Sequence, residues 1–200
     1  NAGITPAATG DRVQQWNNRS GNPVNAQQAT AADRPQYVPG AVNGQPVLRF
    51  TAASVNRMAA TGLSTSTGGK ASVWVVASYR TLPSPNPGLI QGTATGNVYS
   101  STPADKNIGL WVSSTGDKVW GRGIETSGTS VNVPAITSVA ANTYYIMSTQ
   151  YDGTHITQYV NNASAGTATY DGTLRTWPDM SIGAQAGTEG WDGDIAEVIG

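Results

Sequence analysis

Short runs of strand-forming residues, separated by turn residues, recur along this chain of 200 residues. The clearest run is residues 71–79 (ASVWVVASY), whose nearly continuous apolar character predicts a strand buried on both faces. Residues 108–112 alternate between apolar and other positions. Residues 144–151 precede Asp152-Gly153, a hairpin signal that predicts a returning strand over residues 155–160. Nowhere do apolar residues recur at helical spacing over three turns.

This regular succession of strands and turns predicts an all-β fold, an antiparallel two-sheet sandwich or jelly roll with little or no helix. Residues 82–87 contain three prolines and cannot form a central strand. Residues 17–46 are polar and rich in Gly, Pro and Asn, which predicts a long, ordered excursion over the surface. No repeat or linker interrupts the pattern, so we expect one domain over residues 1–200.

Composition narrows the classes of partner. Charged residues make up 12% of the chain, and the net charge is −1. A net charge this small produces no electric field that would attract nucleic acid or an anionic membrane. The sequence also has no run of basic residues, which argues against a nucleic-acid partner. The chain has no cysteine, so disulfides and thiolate metal sites are excluded. No apolar stretch approaches the ~18 residues of a membrane span.

Two groups of residues, one near each end of the chain, follow a known family pattern. The first has the form V-x-x-W, S-G-N, R-P and N-G-x-P-x-x-R-F, carried by residues 13–16, 20–22, 34–35 and 43–50. The second comprises residues 182–184 (IGA) and 190–198 (GWDGDIAEV). In this order they resemble bacterial and phage laminin-G-like domains of the concanavalin A-like lectin/glucanase superfamily. The resemblance implies a sandwich of two curved antiparallel sheets, with signature residues Trp16, Arg34, Pro35, Arg49, Phe50, Gly193, Asp194 and Glu197.

The sequence departs from this family at both ends. Relatives carry an apolar strand before the counterpart of residues 1–4, and further strand after the counterpart of Glu197-Val198. We therefore expect the domain to lack, or to borrow from a partner, a terminal strand at each end. Proteins usually cover an unpaired edge, so this open terminal edge suggests a homo-oligomer or a larger assembly.

Three carboxylates, Asp192, Asp194 and Glu197, stand close together near the end of the chain. Their spacing resembles the acidic strand motif of laminarinase-type glucanases, which use a carboxylate pair about 5–5.5 Å apart when retaining. The structural interpretation is stronger. In it Asp194 bonds backbone amides at the turn, and Glu197 anchors a neighbouring loop through Arg49. The first position is also Asp rather than the Glu of those enzymes, so we expect no catalytic residues.

Other sites follow from residue chemistry. Asp192 and Asp194 are candidate calcium ligands, because calcium binds carboxylate and carbonyl oxygens, although such turns commonly occur for geometric reasons. No other cofactor is expected. The lone His155 and Ser20 lack the partners of a catalytic triad or a His-based zinc site. We expect His155 to be an exposed hairpin residue.

Aromatic residues give the best indication of binding, because flat rings with polar neighbours commonly hold sugars. We expect one or two exposed rings among Trp177, Trp111, Trp120 and Trp191, with Trp177, beside Pro178, the first choice. Trp16 and Trp74 are interpreted as core residues, since most tryptophans of a sandwich are buried.

Three functions remain open because this fold hosts all of them. The first is a non-catalytic binding or adhesion module on a bacterial surface or phage virion, contacting a glycan or a surface protein. The second is a structural decoration, fibre or assembly component of a virion or surface layer. The third is a glucanase that uses Asp192, Asp194 and Glu197. The first two place the protein outside the cell, on a cell surface or on a virion.

Overall fold

The structure is a computed structural model that describes residues 7–21, 23–63, 70–81, 87–94, 106–113, 118–124, 127–133, 137–170, 172–185 and 189–200. The interpretation of residues 82–87 as a loop falls almost wholly outside these ranges. The strands are β1 (Gln15–Trp16), β2 (Ala26–Gln27), β3 (Gln36–Gly40), β4 (Gly44–Phe50), β5 (Met58–Thr61), β6 (Ala71–Tyr79), β7 (Gly88–Thr93), β8 (Lys106–Val112), β9 (Val119–Ile124), β10 (Ser130–Asn132), β11 (Tyr145–Tyr151), β12 (His155–Val160), β13 (Ala163–Thr169), β14 (Asp179–Ile182), β15 (Ala184–Gln185), β16 (Glu189–Gly190) and β17 (Gly193–Ile199).

Two antiparallel sheets form a sandwich, which confirms the predicted all-β fold. The larger sheet has eight strands in the order β1-β2-β5-β14-β7-β8-β9-β10. The other has seven, in the order β13-β12-β11-β6-β17-β4-β3, and β15 and β16 form a small separate pair. The described residues contain no α-helix, only two short 3-10 turns at Ala31–Asp33 and Ala52–Ser54. No described helix is long and apolar enough to cross a membrane.

Strand β6 lies in the middle of the seven-stranded sheet, and its side chains alternate between the two faces. Val73, Val75 and Ala77 are buried in the core between the sheets, whereas Trp74 and Val76 are only half-buried on the outer face. The prediction that this run is buried on both faces, with Trp74 in the core, is therefore wrong. Period-2 alternation places Trp74 opposite the core, whatever its hydrophobicity.

The predicted hairpin between β11 and β12 is confirmed. Tyr151 and Ile156 are register partners at its end. The Asp152 carboxylate accepts hydrogen bonds from the backbone N–H groups of Thr154 (2.8 Å) and His155 (2.7 Å), which fixes the turn. His155 is exposed, as expected.

The core between the sheets consists of one large cluster and one smaller cluster. The large cluster includes Phe50, Val73, Leu110 and Ile195, all fully buried. The small cluster lies around Tyr151, Ile156 and Tyr170. Burial of this many apolar side chains is the main source of the free energy of folding.

Residues 17–46 are not simply a surface excursion. They contain β2, the first 3-10 turn and β3, and β3 forms an edge of the seven-stranded sheet by pairing with β4. The prediction of a loop is wrong here because β3 includes Pro39 and Gly40. These residue types are typical of loops, so composition alone does not indicate a strand. A proline is tolerated there because β3 is an edge strand.

The last strand, β17, is internal to its sheet. Its pairing with β6 runs from Gly193↔Tyr79 to Ile199↔Trp74, with an irregularity between Ile195 and Glu197. Its pairing with β4 stops earlier, at Ile195↔Leu48. Beyond that point the described residues pair no strand with the β4-facing side of β17. For the part of β17 that follows Ile195, the open terminal edge remains a prediction.

Candidate functional site

The acidic residues of the terminal strand form ion pairs. Asp194 on β17 lies directly opposite Arg49 on β4, and Arg49 donates two hydrogen bonds to its carboxylate, at 2.7 and 2.8 Å. The Tyr144 hydroxyl donates a third, at 3.0 Å. The prediction that Asp194 bonds turn amides is therefore wrong, and so is the prediction that Arg49 reaches Glu197, which is exposed. Register decides the pairing, because Arg49 and Asp194 are cross-strand partners.

Burial has the largest effect on Tyr144, followed by the negative charge of Asp194 and their hydrogen bond. Together they raise the pKa of Tyr144 to about 12. The Asp194 hydrogen bond likewise raises the pKa of Arg49. Arg49 and Tyr144 therefore both keep their protons across the neutral range.

Asp192 is held by a second arginine. Arg80 donates to its carboxylate at 2.7 Å, and the Thr81 hydroxyl donates to the other oxygen. Burial alone would raise the pKa of Asp192, but the hydrogen bonds from Thr81 and Arg80 outweigh it and the pKa lies below its ordinary value. Each of the two candidate calcium ligands thus already has a counter-ion. Among the described residues, no three His, Asp or Glu side chains lie close enough to hold a metal.

Gly193 shows why the acidic stretch needs a glycine between its two aspartates. A Cβ atom added there would lie 2.1 Å from the Ser78 carbonyl oxygen and 2.7 Å from the Tyr79 Cα. Only glycine lets β17 approach β6 this closely. The strand then carries Asp192 and Asp194 to their separate arginines.

The remaining signature residues are structural. Phe50 is fully buried, and Trp16 is half-buried against the core. Arg34 donates to the carbonyl oxygens of Gln28 (2.8 Å) and Ala29 (2.7 Å), and the Pro35 carbonyl accepts from the Val13 N–H (2.8 Å). These bonds join described segments of residues 13–35 to one another.

The structure separates the four candidate tryptophans. Trp177 is 5% exposed and packs in the core, where its ring lies against Gly92, so the prediction that it is exposed is wrong. Trp191 is also in the core, edge-on to Tyr79 with ring centroids 6.4 Å apart. Trp111 is fully buried, and Trp120 is half-buried. Proximity to a proline or a turn therefore does not determine whether a tryptophan is exposed.

Trp111 and Trp120 lie together on the outer side of the eight-stranded sheet. They are direct partners on β8 and β9, and their rings stack with centroids 5.0 Å apart and an interplanar angle of 25°. The Trp111 ring extends over Gly109, since a Cβ atom there would lie 2.2 Å from its Cη2 atom. The core neighbours of β8, Leu110 and Val112, point the opposite way.

Arg122 completes this cluster. Its guanidinium carbon lies 5.5 Å from the Trp111 ring centroid and 5.3 Å from that of Trp120, within the range of a cation–π contact. Its Nε donates to the Asn132 Oδ1 at 2.8 Å, which fixes its direction. The result is a rigid, partly exposed corner with a flat ring, a cation and an amide.

A continuous row of register partners crosses the same outer face. Direct partners share a face of an antiparallel sheet, and the row crosses eight strands. Its members are Gln15, Gln27, Ala59, Ser181, Gln91, Gly109, Arg122 and Asn132. We call Gln91, Gly109, Trp111, Trp120, Arg122 and Asn132 the Trp120 face. Amides stand at both ends of the row, and small residues stand near its middle.

No family model and no curated protein sequence matches the chain. Solved structures do. Domain 4 of AbnA, an extracellular GH43 arabinanase from Geobacillus stearothermophilus in complex with arabinotriose, superposes with a TM-score of 0.60 at 14% identity, covering 95% of this chain and 78% of that chain. The binding domain of Paraclostridial Mosquitocidal Protein 1 gives a TM-score of 0.60 at 11% identity, covering 96% of this chain and 48% of that one.

An alginate lyase from an Alteromonas species is also similar, with a TM-score of 0.51 at 8% identity, covering 76% of this chain and 86% of that chain. Identities this low show the fold alone, and proteins of one fold carry out different functions. The chain therefore has the two-sheet β-sandwich fold found in an arabinotriose-bound domain, the binding domain of a mosquitocidal protein and an alginate lyase.

Proposed function

We propose that this protein is a non-catalytic binding module whose Trp120 face contacts a glycan, on a bacterial cell surface or a phage virion. The stacked Trp111–Trp120 pair with Arg122 across it carries the proposal. A half-buried indole offers a flat apolar surface, and the neighbouring guanidinium and amide offer polar contacts, a combination that suits a sugar ring.

The comparisons support a binding role by analogy. The arabinanase domain is bound to arabinotriose, and the mosquitocidal protein's domain is described as a binding domain. The extracellular arabinanase also supports a location outside the cell for this chain. The resemblance of residues 13–50 and 182–198 to laminin-G-like domains is the finer family assignment that we propose.

The ion pairs support the absence of catalysis. Asp192 and Asp194 each lie 2.7 Å from an arginine nitrogen. A general acid in a glycosidase needs a raised pKa, whereas the pKa of Asp192 is lowered. Asp192 is therefore poorly suited to act as the acid of a glucanase, and we interpret Asp192 and Asp194 as structural.

The proposed function is tested by isothermal titration of the protein with neutral oligosaccharides, arabinotriose first. Trp120→Ala is expected to weaken binding by about tenfold, because an aromatic contact contributes roughly 0.5–1.5 kcal/mol beyond the area it buries and about 1.4 kcal/mol is a tenfold change in affinity. Trp74→Ala is the matched control, a half-buried tryptophan on the outer face of the other sheet. Equal loss in both variants, or no binding by the unchanged protein to any oligosaccharide, would contradict the proposal.

A second candidate is the assembly role. Ile146 and Ile199, on the outer face of the seven-stranded sheet, are 49% and 55% exposed, and Trp74 is the register partner of Ile199. Exposed apolar side chains that cluster on one face commonly mark contacts between proteins. Light scattering over a range of protein concentrations tests this role, with Ile146→Thr as the variant expected to remove any self-association.

A further inference from the structure

The second half of β17 has a neighbouring strand on only one side among the described residues. Its pairing with β4 ends at Ile195, whereas its pairing with β6 continues to Ile199. The register irregularity between Ile195 and Glu197 lies where β4 is lost, and a bulge of this kind bends a strand and can end its pairing. On the opposite side β4 carries Pro46, which has no N–H group to donate. Both features keep β4 away from residues 196–200.

A groove of about 2050 Å³ runs along this unpaired edge. It is lined by residues 196–200, by residues 42–48 around the start of β4, and by Trp177 and Met180 from the other sheet. A Cβ atom added to Gly200 would lie 2.9 Å from the Met180 Cε and 3.4 Å from the Trp177 Cη2, so the groove reaches the space between the sheets. Sites for small molecules usually measure about 300–1,000 Å³. The groove is therefore large enough for a segment of polypeptide.

The side chains at this edge alternate in direction and remain accessible. Val198 is the register partner of Val75, a core residue, so Val198 points between the sheets. It packs against the core but is only half-buried. Glu197 and Ile199 point to the outer face and are exposed. A strand added beside them would follow the same alternation, with every second side chain directed inward beside Val198.

The backbone of this edge favours a polypeptide as the occupant of the groove. Successive residues of an antiparallel strand direct their N–H and C=O groups to alternate sides, so the end of β17 presents donors and acceptors to the groove. An extended polypeptide offers the complementary groups at the same spacing, and addition of a strand to a sheet edge is a common mode of peptide recognition. Residues 196–200 would span about 16 Å, at about 3.3 Å per residue.

Charge and side-chain size indicate what kind of polypeptide fits. The charged side chains described along the groove are mostly basic, although the whole chain has a net charge of −1. They are Arg12, Arg19, Arg34 and Lys70, against Asp11 and Glu197. An incoming strand with acidic residues would complement them. A second copy fits less well, because the longest edge strand that it offers, β13, carries only small side chains (ASAGTAT) that would not fill the groove.

We infer that the groove beside residues 196–200 is a docking site for an extended segment of another protein, which adds to the edge of β17 as a strand. The segment directs alternate apolar side chains towards Val198, Trp177 and Met180, and carries acidic residues near the basic side chains of the groove. The site does not involve the Trp120 face, which lies on the outer side of the other sheet, so this inference is independent of the proposed function.

The test uses the full chain and a synthetic peptide of about seven residues, in which valine and threonine alternate between a glutamate at each end. Titration calorimetry is expected to show binding, and amide hydrogen exchange at residues 196–199 is expected to slow when the peptide is bound. The same peptide with a proline at its centre should bind about tenfold more weakly or not at all, because proline removes an N–H group and disrupts strand pairing.

A matched pair of variants locates the site. Val198→Thr is expected to weaken peptide binding about tenfold, because it places an unpaired hydroxyl in the apolar part of the groove. Ile199→Thr makes the same kind of change one residue further on, on the outer face, and should bind the peptide like the unchanged protein. Val198→Ala replaces Val198→Thr if the latter fails to fold. Trp120→Ala should leave peptide binding unchanged.

Several outcomes would overturn the inference. One is the absence of peptide binding up to about 1 mM, and another is binding without slower exchange at residues 196–199. Equal loss of binding in Val198→Thr and Ile199→Thr, or loss in Trp120→Ala, would also contradict it. Self-association that Val198→Thr abolishes and Ile199→Thr leaves intact would assign the groove to a second copy instead. The glycan titrations decide the proposed function separately.

Discussion

Trp111 and Trp120 face each other directly across β8 and β9, and their stacked rings have centroids 5.0 Å apart, with the Arg122 guanidinium carbon 5.5 and 5.3 Å from the two centroids. The buried ring supports the half-buried ring. Because Trp111 packs over a glycine, its ring lies close to the sheet. Trp120 is stacked on this buried ring at the outer face.

Gly109→Ala is expected to break this arrangement. The added carbon would lie 2.2 Å from the Trp111 Cη2 atom, so the ring must move, at a cost of about 1–3 kcal/mol in the free energy of unfolding. The near-ultraviolet circular dichroism of the coupled indoles should fall with it. Gly121→Ala, whose added carbon meets Thr149 at 2.6 Å on the inner side, is the control. It should lose stability and keep the indole signal, and a loss of that signal in both variants would argue against the stack.

Arg49 and Asp194 should be energetically coupled. We expect a double-mutant cycle with Arg49→Gln and Asp194→Asn, followed by urea unfolding, to give a coupling of about 1–2 kcal/mol. Solvent screening keeps this below the value of a fully buried pair, since the Arg49 side chain is 34% exposed and that of Asp194 is 9% exposed. The Arg57–Asp33 pair, in which a guanidinium nitrogen lies 3.1 Å from a carboxylate oxygen, is the comparison and should couple more weakly. A coupling no larger than that of Arg57–Asp33 would show that the two-bond geometry adds nothing.

Stability should fall at high pH because of Tyr144. Its pKa is raised to about 12, above the unfolded value of about 10, so between these values the folded protein holds the proton and the unfolded chain releases it. The stabilisation is complete below pH ~10 and is lost as the pH rises towards ~12. Urea unfolding at pH values from about 8 to about 12, followed by fluorescence, should show this loss of stability. Tyr144→Phe should reduce it, and Tyr145→Phe should not. An unchanged alkaline profile in Tyr144→Phe would exclude this explanation.

The sandwich was predictable because alternation and turn chemistry act locally. The hairpin at Asp152-Gly153 and the absence of helical periodicity are properties of short windows of sequence. The alternation of β6 was obscured by its composition, because Trp74 and Val76 are apolar yet point outward. Local hydrophobicity cannot distinguish a strand buried on both faces from one with a half-buried outer face.

The site was less predictable because it depends on register between distant strands. The Trp111–Trp120 pair could have been inferred from the sequence, since the turn-forming residues 114–117 (STGD) between them favour a hairpin that sets the two opposite each other. Nothing local marks Gln91, whose partner Ser181 lies 90 residues away. Trp177 gave a misleading signal, because its burial depends on contact with Gly92 on another strand. Arg49 was identified as an anchor, but only register could reveal that its partner is Asp194.

The internal position of β17 has a consequence for how the protein is made. The partner of Arg49, Asp194, lies 145 residues further along the chain, and β17 lies between β6 and β4 in the sheet. The seven-stranded sheet therefore cannot close on a ribosome until the segment around Ile195 has emerged. Such non-local closure folds slowly and leaves strand edges exposed in the meantime. The growing chain would thus depend on β17 to complete the seven-stranded sheet.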